Sequence, residues 1–488
     1  MTTKTEDRRG MGARLSGVNR YMHSQPGLDY LMLRVVVFLL AGIGLVMVFS
    51  SSMTWSIAEG STAWGTAARQ AGMVVIGFIA FWLALKIRPG LVRKVAPWLL
   101  LLTLLLLVLV LTPLGTGREE VGSQSWLALG PLQLQPSEIA KVTVAVWGAS
   151  FLAGKKDRGG GLRNPFFIFS LGAGLMAVLI FLQGDLGMAV NFSFTVIVLL
   201  IFAGVRMQWV VGAAVFGVLG MTVVLLGGGF RSARFEVFFS ALLGNFEDTQ
   251  GQAFQSYQGF LSLADGSLLG VGLGQSRAKW FYLPEAKNDF IFAIIGEELG
   301  LWGGGLVIVL FGLLGFFGFR TALRAQDQFQ SLMAATLTAG VASQAFINIG
   351  YVVGLLPVTG IQLPMISAGG TSAVITIGSM GLLASCARHE PEAVSGMQSY
   401  GRPLFDRLLL IAEPRPEDAS QAKPRPVDKP ARFGAPVTRR VKSPESGGSV
   451  RADNSRRAAA PERPPKPSRG GRPGPQEQRY RSQRGRRH

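Results

Sequence analysis

Cysteine and histidine are almost missing from this 488-residue chain, which has one cysteine, Cys386, and three histidines, His23, His389 and His488. A single cysteine excludes an intrachain disulfide. No histidine falls in an apolar stretch, so structural zinc, haem ligation and Ser–His or Cys–His nucleophilic schemes lack their parts. Charge is scarce too, at 16% of residues, where an ordinary soluble domain has roughly a quarter. It is also unevenly spread. Residues 389–488 hold 22 Lys/Arg and 11 Asp/Glu, a net of +11, which leaves 26 and 18, a net of +8, for residues 1–388. The first part is too apolar for a water-soluble fold and the last too polar for a core. A soluble enzyme, a disulfide scaffold and a coiled coil are excluded. An all-α integral membrane protein with a basic tail is implied.

A membrane-spanning helix needs about 20 mostly apolar residues. Ten stretches qualify: 31–53, 70–87, 95–114, 138–154, 165–182, 186–204, 207–227, 290–318, 331–356 and 371–387. Lys and Arg gather on alternate sides of them. Lys4, Arg8, Arg9, Arg14 and Arg20 precede the first span, Arg88, Arg93 and Lys94 follow the second, and Lys155, Lys156, Arg158 and Arg163 follow the fourth. Arg206 follows the sixth, and Arg320 and Arg324 the eighth. The opposite loops are poorer, with Arg69 in the first and Arg118 beside Glu119 and Glu120 in the second. By the positive-inside rule both termini are cytoplasmic. The first apolar run is too long and starts too late for a cleavable signal peptide.

This divides the chain into a basic N-terminal segment (1–30), a ten-helix membrane domain (31–390) and a basic, mostly disordered tail (391–488). Two outer segments are long for loops, 115–137 and 228–289, and long loops usually carry function. The second contains helical signals at Phe235 to Leu243 and Phe254 to Leu263, then Gly266, Gly270, Gly272 and Gly274. The tail is rich in Pro, Arg, Gly and Ser and cannot offset its ordering entropy. An amphipathic piece, Leu404 to Ile411, is expected on the inner membrane surface. The tail's arginines are better matched to anionic lipid and acidic partners than to nucleic acid.

Ionisable groups inside a membrane are costly and so mark functional candidates. Glu138 and Lys141, at i and i+3, share a helix face and can pair. Pro136 sets the turn before them and Ser137 can cap that helix. Spacing leaves a structural ion pair and a functional one equally open. Asp289 opens the eighth span, where complementing the helix dipole is the plainer explanation. Glu297 and Glu298 lie about 12 Å deeper, at about 1.5 Å per residue, and require a polar interior there. Asp185, in Gln183-Gly184-Asp185-Leu186-Gly187, reads as a turn and cap residue. Arg231 and Arg234 can hold a phosphate or anchor at headgroups. The Gly270-Val271-Gly272-Leu273-Gly274 string lacks the strand and helix of a dinucleotide loop.

Seven stretches together resemble the SEDS family, the FtsW/RodA-type peptidoglycan glycosyltransferases. They are Gln135-Pro136-Ser137-Glu138-Ile139-Ala140-Lys141, Asp185-Leu186-Gly187, Gly272-Leu273-Gly274-Gln275-Ser276, Tyr282-Leu283-Pro284-Glu285-Ala286, Asp289-Phe290-Ile291-Phe292, Gly296-Glu297-Glu298-Leu299-Gly300, and Leu356-Pro357-Val358-Thr359-Gly360 with Leu363 to Ser372. The chain departs from the family at Ala368 (usually aromatic), Thr371 (usually Ser), Ser125 (usually Arg) and Gly184 (usually Pro). The long tail is more like the division type than the elongation type.

The resemblance implies ten spans and polymerisation of lipid II, a disaccharide-peptide on undecaprenyl pyrophosphate, at the outer face of the bacterial cytoplasmic membrane, at the septum for the division type. It implies Asp289 as general base for the acceptor hydroxyl. It makes Glu138 and Lys141 a functional pair and adds Arg231, Arg234, Gln255, Glu285 and Ser367 as substrate-binding positions. Cationic groups should stabilise the departing pyrophosphate; a divalent cation, Mg or Mn, could assist, though no ligand cluster identifies one. The implied partners are a class B penicillin-binding protein and, through the tail, other division proteins. Two alternatives stand beside this: a lipid II flippase of the same fold, and a non-catalytic scaffold.

Overall fold

The computed structural model describes residues 25–414 apart from 59, 61, 119–121, 131, 157–162, 213–214, 216–234, 241–252 and 284. In chain order the elements are α1 (Leu28–Ala58), α2 (Gly65–Lys86), α3 (Pro89–Val110), β1 (Gly115–Thr116), β2 (Trp126–Leu129), β3 (Leu132–Leu134), α4 (Pro136–Leu152), α5 (Pro165–Leu182) and α6 (Leu186–Phe202). Then come α7 (Phe254–Gly266), a π-helical turn (Ala278–Tyr282), α8 (Ile291–Arg324), α9 (Gln328–Val352), α10 (Thr371–Arg388), α11 (Pro391–Tyr400) and α12 (Leu404–Leu408). Among the described residues, nine of the ten predicted stretches are long helices. The seventh is helical at 207–212 and lies for most of its length outside them. Among the described residues, six helices (α1, α2, α3, α5, α8 and α9) are long and apolar enough to cross a membrane. The more polar α4 packs among α3, α9, α5 and α6, and α10 among α2, α1 and α9. Their composition is set by protein neighbours, not by lipid.

Lipid tails are as apolar as leucine, so helix pairs here gain mainly from close packing. The α2–α10 contact has this character. A Cβ on Gly381 would stand 2.6 Å from the Phe81 carbonyl oxygen, and one on Gly77 3.1 Å from Ile377. Helix starts are written locally. Proline stands in the first turn of α3, α4, α5 and α11, where its missing N–H costs nothing. Asn164, Asp185 and Asp327 accept from the amides of Phe166, Met188 and Phe329. Ser137 does not cap α4: the cap position is Gln135, and the Ser137 hydroxyl is buried without a hydrogen-bond partner.

The chain is not purely helical. The long segment after α3 forms a three-stranded antiparallel sheet, ordered β1-β2-β3, with Leu129 opposite Leu132. Gly130, at φ 63°, opens the two-residue turn between them, the conformation such hairpins need and glycine adopts without strain.

Helix α8 is broken at Gly300 (φ 65°, ψ −164°). A break at this depth must have its backbone groups satisfied by protein. The glycine string does so: Val271 N and Gly272 N donate to the Glu297 and Glu298 carbonyls at 2.9 and 3.0 Å, and Leu301 N donates to Ser267 O at 3.0 Å. A Cβ on Gly270 would lie 2.2 Å from Glu298 O, and one on Gly300 2.4 Å from Gly270 N. The carboxylates at the break face inward. Glu297 accepts from Ser276 Oγ (2.8 Å) and Arg277 N (2.6 Å). Glu298 accepts from Ser50 Oγ (2.6 Å) and lies 3.3 Å from Lys279 Nζ. They tie α1, the glycine segment and α8 together.

At the far end of the bundle the chain stays folded past α10. Asp406 of α12, fully buried, accepts from Tyr30 OH (2.7 Å) and Arg388 Nε (2.8 Å), with Arg34 at 4.0 Å. Trp82 Nε1 donates to Leu409 O at 2.9 Å, and Arg34 lies over the Phe405 ring. A second network joins Asp29 to Arg320 (2.9 Å) and Arg324 to Glu390 (3.3 Å) and Glu392. Leu404, Leu408 and Leu410 point outward, the amphipathic arrangement expected of this piece.

Candidate active site

Asp289 sits immediately before α8, and its loop is held by its backbone. Three successive carbonyls are bound. Ala368 N donates to Lys287 O at 3.0 Å. Ser367 Oγ donates to Asn288 O at 2.6 Å. Asn348 Nδ2 and Tyr351 OH lie 2.9 and 2.8 Å from Asp289 O. Ser367 is itself fixed by Gln70, whose Nε2 donates to Ser367 O at 3.2 Å and whose Oε1 accepts from Gly370 N at 3.3 Å. Pinning carbonyls orients the peptide of a residue, Asp289, that lines the cavity.

That cavity has a volume of about 1640 Å³. Its polar part is lined by Arg69, Gln70, Gln135, Glu138, Asp185, Glu285, Lys287, Asn288 and Asp289, beneath Trp126 and Gln133 of the sheet. Its apolar part runs along α6, α8 and α9, past Val190, Phe194, Val198, Phe319, Ala342 and Phe346. One continuous space therefore has both a charged and an apolar lining.

Glu138 and Lys141 do pair, at 2.8 Å. Gln344 of α9 bridges them: its Oε1 accepts from Lys141 Nζ, and its Nε2 lies 3.4 Å from Glu138 Oε1 and 3.0 Å from Gln362 O. Glu138 lines the cavity and Lys141 stands behind it. Asp185 combines its expected cap role with a place in the lining, where Gln135 Nε2 donates to it at 3.2 Å. Burial pushes the Asp185 carboxyl up to about 6, with the Glu138 charge adding to the rise and the Met188 amide opposing it.

Of the other sequence-predicted positions, Gln255 and Glu285 line the cavity. Glu285, at φ 55°, accepts from Asn288 Nδ2 at 2.6 Å. Ser367 is buried behind the loop and holds it, and does not line the cavity. Arg231 and Arg234 lie outside the described residues. Among the described residues, the cations lining the cavity are Arg69 and Lys287, neither of which sequence reasoning had singled out. It also missed Gln70, Gln344, Asn348 and Tyr351. The last three carried a signal: polar side chains at i, i+4 and i+7 in an apolar span share one helix face. Among the described residues no three His, Cys, Asp or Glu side chains come together as a metal site.

Fold and cavity define a multi-pass membrane protein able to receive a molecule with a polar head and an apolar chain. The chain belongs to the FtsW/RodA/SpoVE family, described as "Cell cycle protein", whose family model matches residues 30–392. It is 38% identical over 418 residues to the probable peptidoglycan glycosyltransferase FtsW of Mycobacterium tuberculosis, covering 84% of this chain and 79% of that protein. It is 38% identical over 360 residues to stage V sporulation protein E of Bacillus subtilis, covering 74% and 97%. A chain in a solved peptidoglycan synthase complex that coordinates polymerization and crosslinking superposes with TM-score 0.58 at 25% identity, covering 74% of this chain and 97% of that one. The crystal structure of the Thermus thermophilus rod shape determining protein RodA shares the fold, with TM-score 0.54 at 23% identity, covering 74% and 96%.

Proposed function

We propose that this chain is a peptidoglycan glycosyltransferase of the division type, which polymerises lipid II at the outer face of the cytoplasmic membrane with Asp289 as general base. The observation that carries this reading is the continuity of the cavity. A charged lining suits a disaccharide-pyrophosphate, and an apolar lining suits its polyprenyl chain, since each buried CH₂ contributes about 0.8 kcal/mol. The family membership and the glycosyltransferase relatives agree with it.

In the reaction the acceptor sugar hydroxyl attacks the anomeric carbon of the donor. The Asp289 carboxylate takes the hydroxyl proton as the new C–O bond forms. The bond from the anomeric carbon to the pyrophosphate oxygen breaks, and the lipid pyrophosphate leaves with the electron pair. Arg69 and Lys287 are the cavity-lining cations able to stabilise that developing charge, and Glu138 with Lys141 shapes the wall beside them. No step is assigned to a divalent cation.

The chain works with ten spans, both termini cytoplasmic, beside a class B penicillin-binding protein at the septum, with the tail meeting anionic lipid and other division proteins. Purified full-length chain with its transpeptidase partner is expected to make glycan strands from lipid II. Asp289→Ala should lower the rate by about 10²–10⁴-fold while leaving the melting temperature within a few degrees. Normal polymer from the variant would sink the assignment of Asp289. Protein-dependent translocation of labelled lipid II without polymer would replace the enzyme with a transporter.

A further inference from the structure

We infer that one face of α9 is the positioning element of the site: Asn348 and Tyr351 set the backbone of Asp289, while Gln344, on the same face, sets the Glu138–Lys141 pair. The inference deepens the reading of Asp289 as the base and rests on it.

Residues 344, 348 and 351 project from one side of a straight helix. Each reaches two parts of the site. Gln344 holds the Glu138–Lys141 pair and the Gln362 carbonyl. Asn348 and Tyr351 hold the Asp289 carbonyl and the Ile361 carbonyl, the latter at 2.7 and 2.8 Å. So the acid before α8, the ion pair on α4 and the segment after α9 are indexed to one rigid ruler. A single helix does the work of three separate supports, and the spacing between the two charged centres is set by its rise.

A second observation concerns the orientation of the Asn348 amide. The Asn348 side chain is fully buried, and its Oδ1 has no hydrogen-bond partner. An unsatisfied buried acceptor costs about 1–3 kcal/mol. Turning the amide over would set Oδ1 against two carbonyls, Asp289 O at 2.9 Å and Ile361 O at 2.7 Å, leaving the Tyr351 hydroxyl as the one donor there. The amide is oriented wholly for donation to the loop, at the expense of its own acceptor. An apolar residue of similar size would avoid that cost if packing were the purpose. Such unsatisfied groups in a folded protein call for a functional explanation, and orientation of the Asp289 peptide supplies one.

Asn348 and Tyr351 touch the Asp289 backbone and are positioning residues. Displacing a reacting group by about 1 Å can cost on the order of 100-fold. The experiment measures kcat and KM for lipid II in the full-length complex. Asn348→Ala should lower kcat by on the order of 100-fold, with KM held within about twofold if the cavity walls are untouched. Tyr351→Phe, which removes one oxygen and no volume, should lower kcat by about tenfold, because the Asp289 carbonyl loses one of its two donors and keeps Asn348. Asn348→Gln, which keeps the donor, should recover part of the Asn348→Ala loss. Asp406→Asn, at the far end, controls for stability: it should lower the melting temperature and leave kcat of the folded fraction unchanged. If Asn348→Ala fails to fold, Tyr351→Phe carries the test. Wild-type kcat in both variants, or a loss entirely in KM, overturns the positioning role while Asp289→Ala stays inactive. An active Asp289→Ala overturns the base assignment itself, a distinct result.

Discussion

At the far end of the bundle one carboxylate, Asp406, is closed in by Tyr30, Arg388 and Arg34. At the other end Asp185, Glu285 and Asp289 line some 1640 Å³ of space. Both ends gather acids and arginines from distant parts of the chain. They differ in what the carboxylates face. The far end matches them with guanidinium groups, Arg388 Nε donating to Asp406 at 2.8 Å, which fixes helices against one another. The cavity end spends its hydrogen bonds on backbone carbonyls, at Lys287, Asn288 and Asp289, residues that line the cavity. Buried charge holds the fold in the first case. In the second, neutral amides and hydroxyls hold the Asp289 loop, and a buried ion pair, Glu138–Lys141, stands beside it on α4.

The largest effect is expected at Asp406. Removing one partner of a buried ion pair costs about 3–5 kcal/mol, because the other charge is left uncompensated. Asp406→Ala should therefore lower thermal stability in detergent by that amount, while the surviving folded protein still polymerises. If polymerisation fails in protein that remains folded, the two ends are not independent. A smaller effect is expected midway between them. Gly300→Ala puts a Cβ 2.4 Å from Gly270 N at a positive φ, and strain of this kind costs about 1–3 kcal/mol. Proteolysis within residues 266–282 should become faster; unchanged protection would mean that the glycine segment does not splint the break.

The smallest effect sharpens the comparison by pH. The Asp185 carboxyl titrates at about 6, above its ordinary value of 3.8. A raised acid favours the folded state while protonated, so this contribution is complete below about 4 and is lost as pH rises through about 6. Asp185→Asn keeps the cap and removes the titration. Its melting temperature should depend less on pH between about 4 and 6, by an amount worth at most about 1 kcal/mol after screening. Identical pH slopes would exclude the shift. At the far end Glu390 is raised further, to about 8, by burial and by the facing Asp29. The same sign there puts its loss of stability at more alkaline pH, so the two ends should be separable by pH alone.

How much could be read from the sequence depends on the range of each interaction. Apolar length set the helices, and Pro136, Asn164 and Asp185 set their starts, because these are local effects. Segment Tyr282 to Phe292 drew attention to the Asp289 loop. The small sheet was invisible, its strands being two to four residues long. The Gly300 break was hidden because 290–318 reads as one span, with Glu297 and Glu298 the only charges in it and glycine common along it. Arg69 looked like a stray loop charge, because only the fold brings it to the cavity. Asn348 and Tyr351 bind carbonyls, and every residue has a carbonyl, so no side-chain pairing betrayed them. Tyr30 and Asp406 meet across 376 positions, a separation that no periodicity can span.

One consequence concerns mechanical load. Arg388 holds the Ala412 carbonyl at 2.6 Å and Asp406 beside it, just before the described chain ends at residue 414. A tug on the residues beyond 414 meets the exposed Arg402–Glu413 pair, at 3.7 Å, and then this buried grip, as a cord meets the collar where it enters an appliance. The force is shed sideways into α1 and α10, and the machinery at the opposite end feels no jerk.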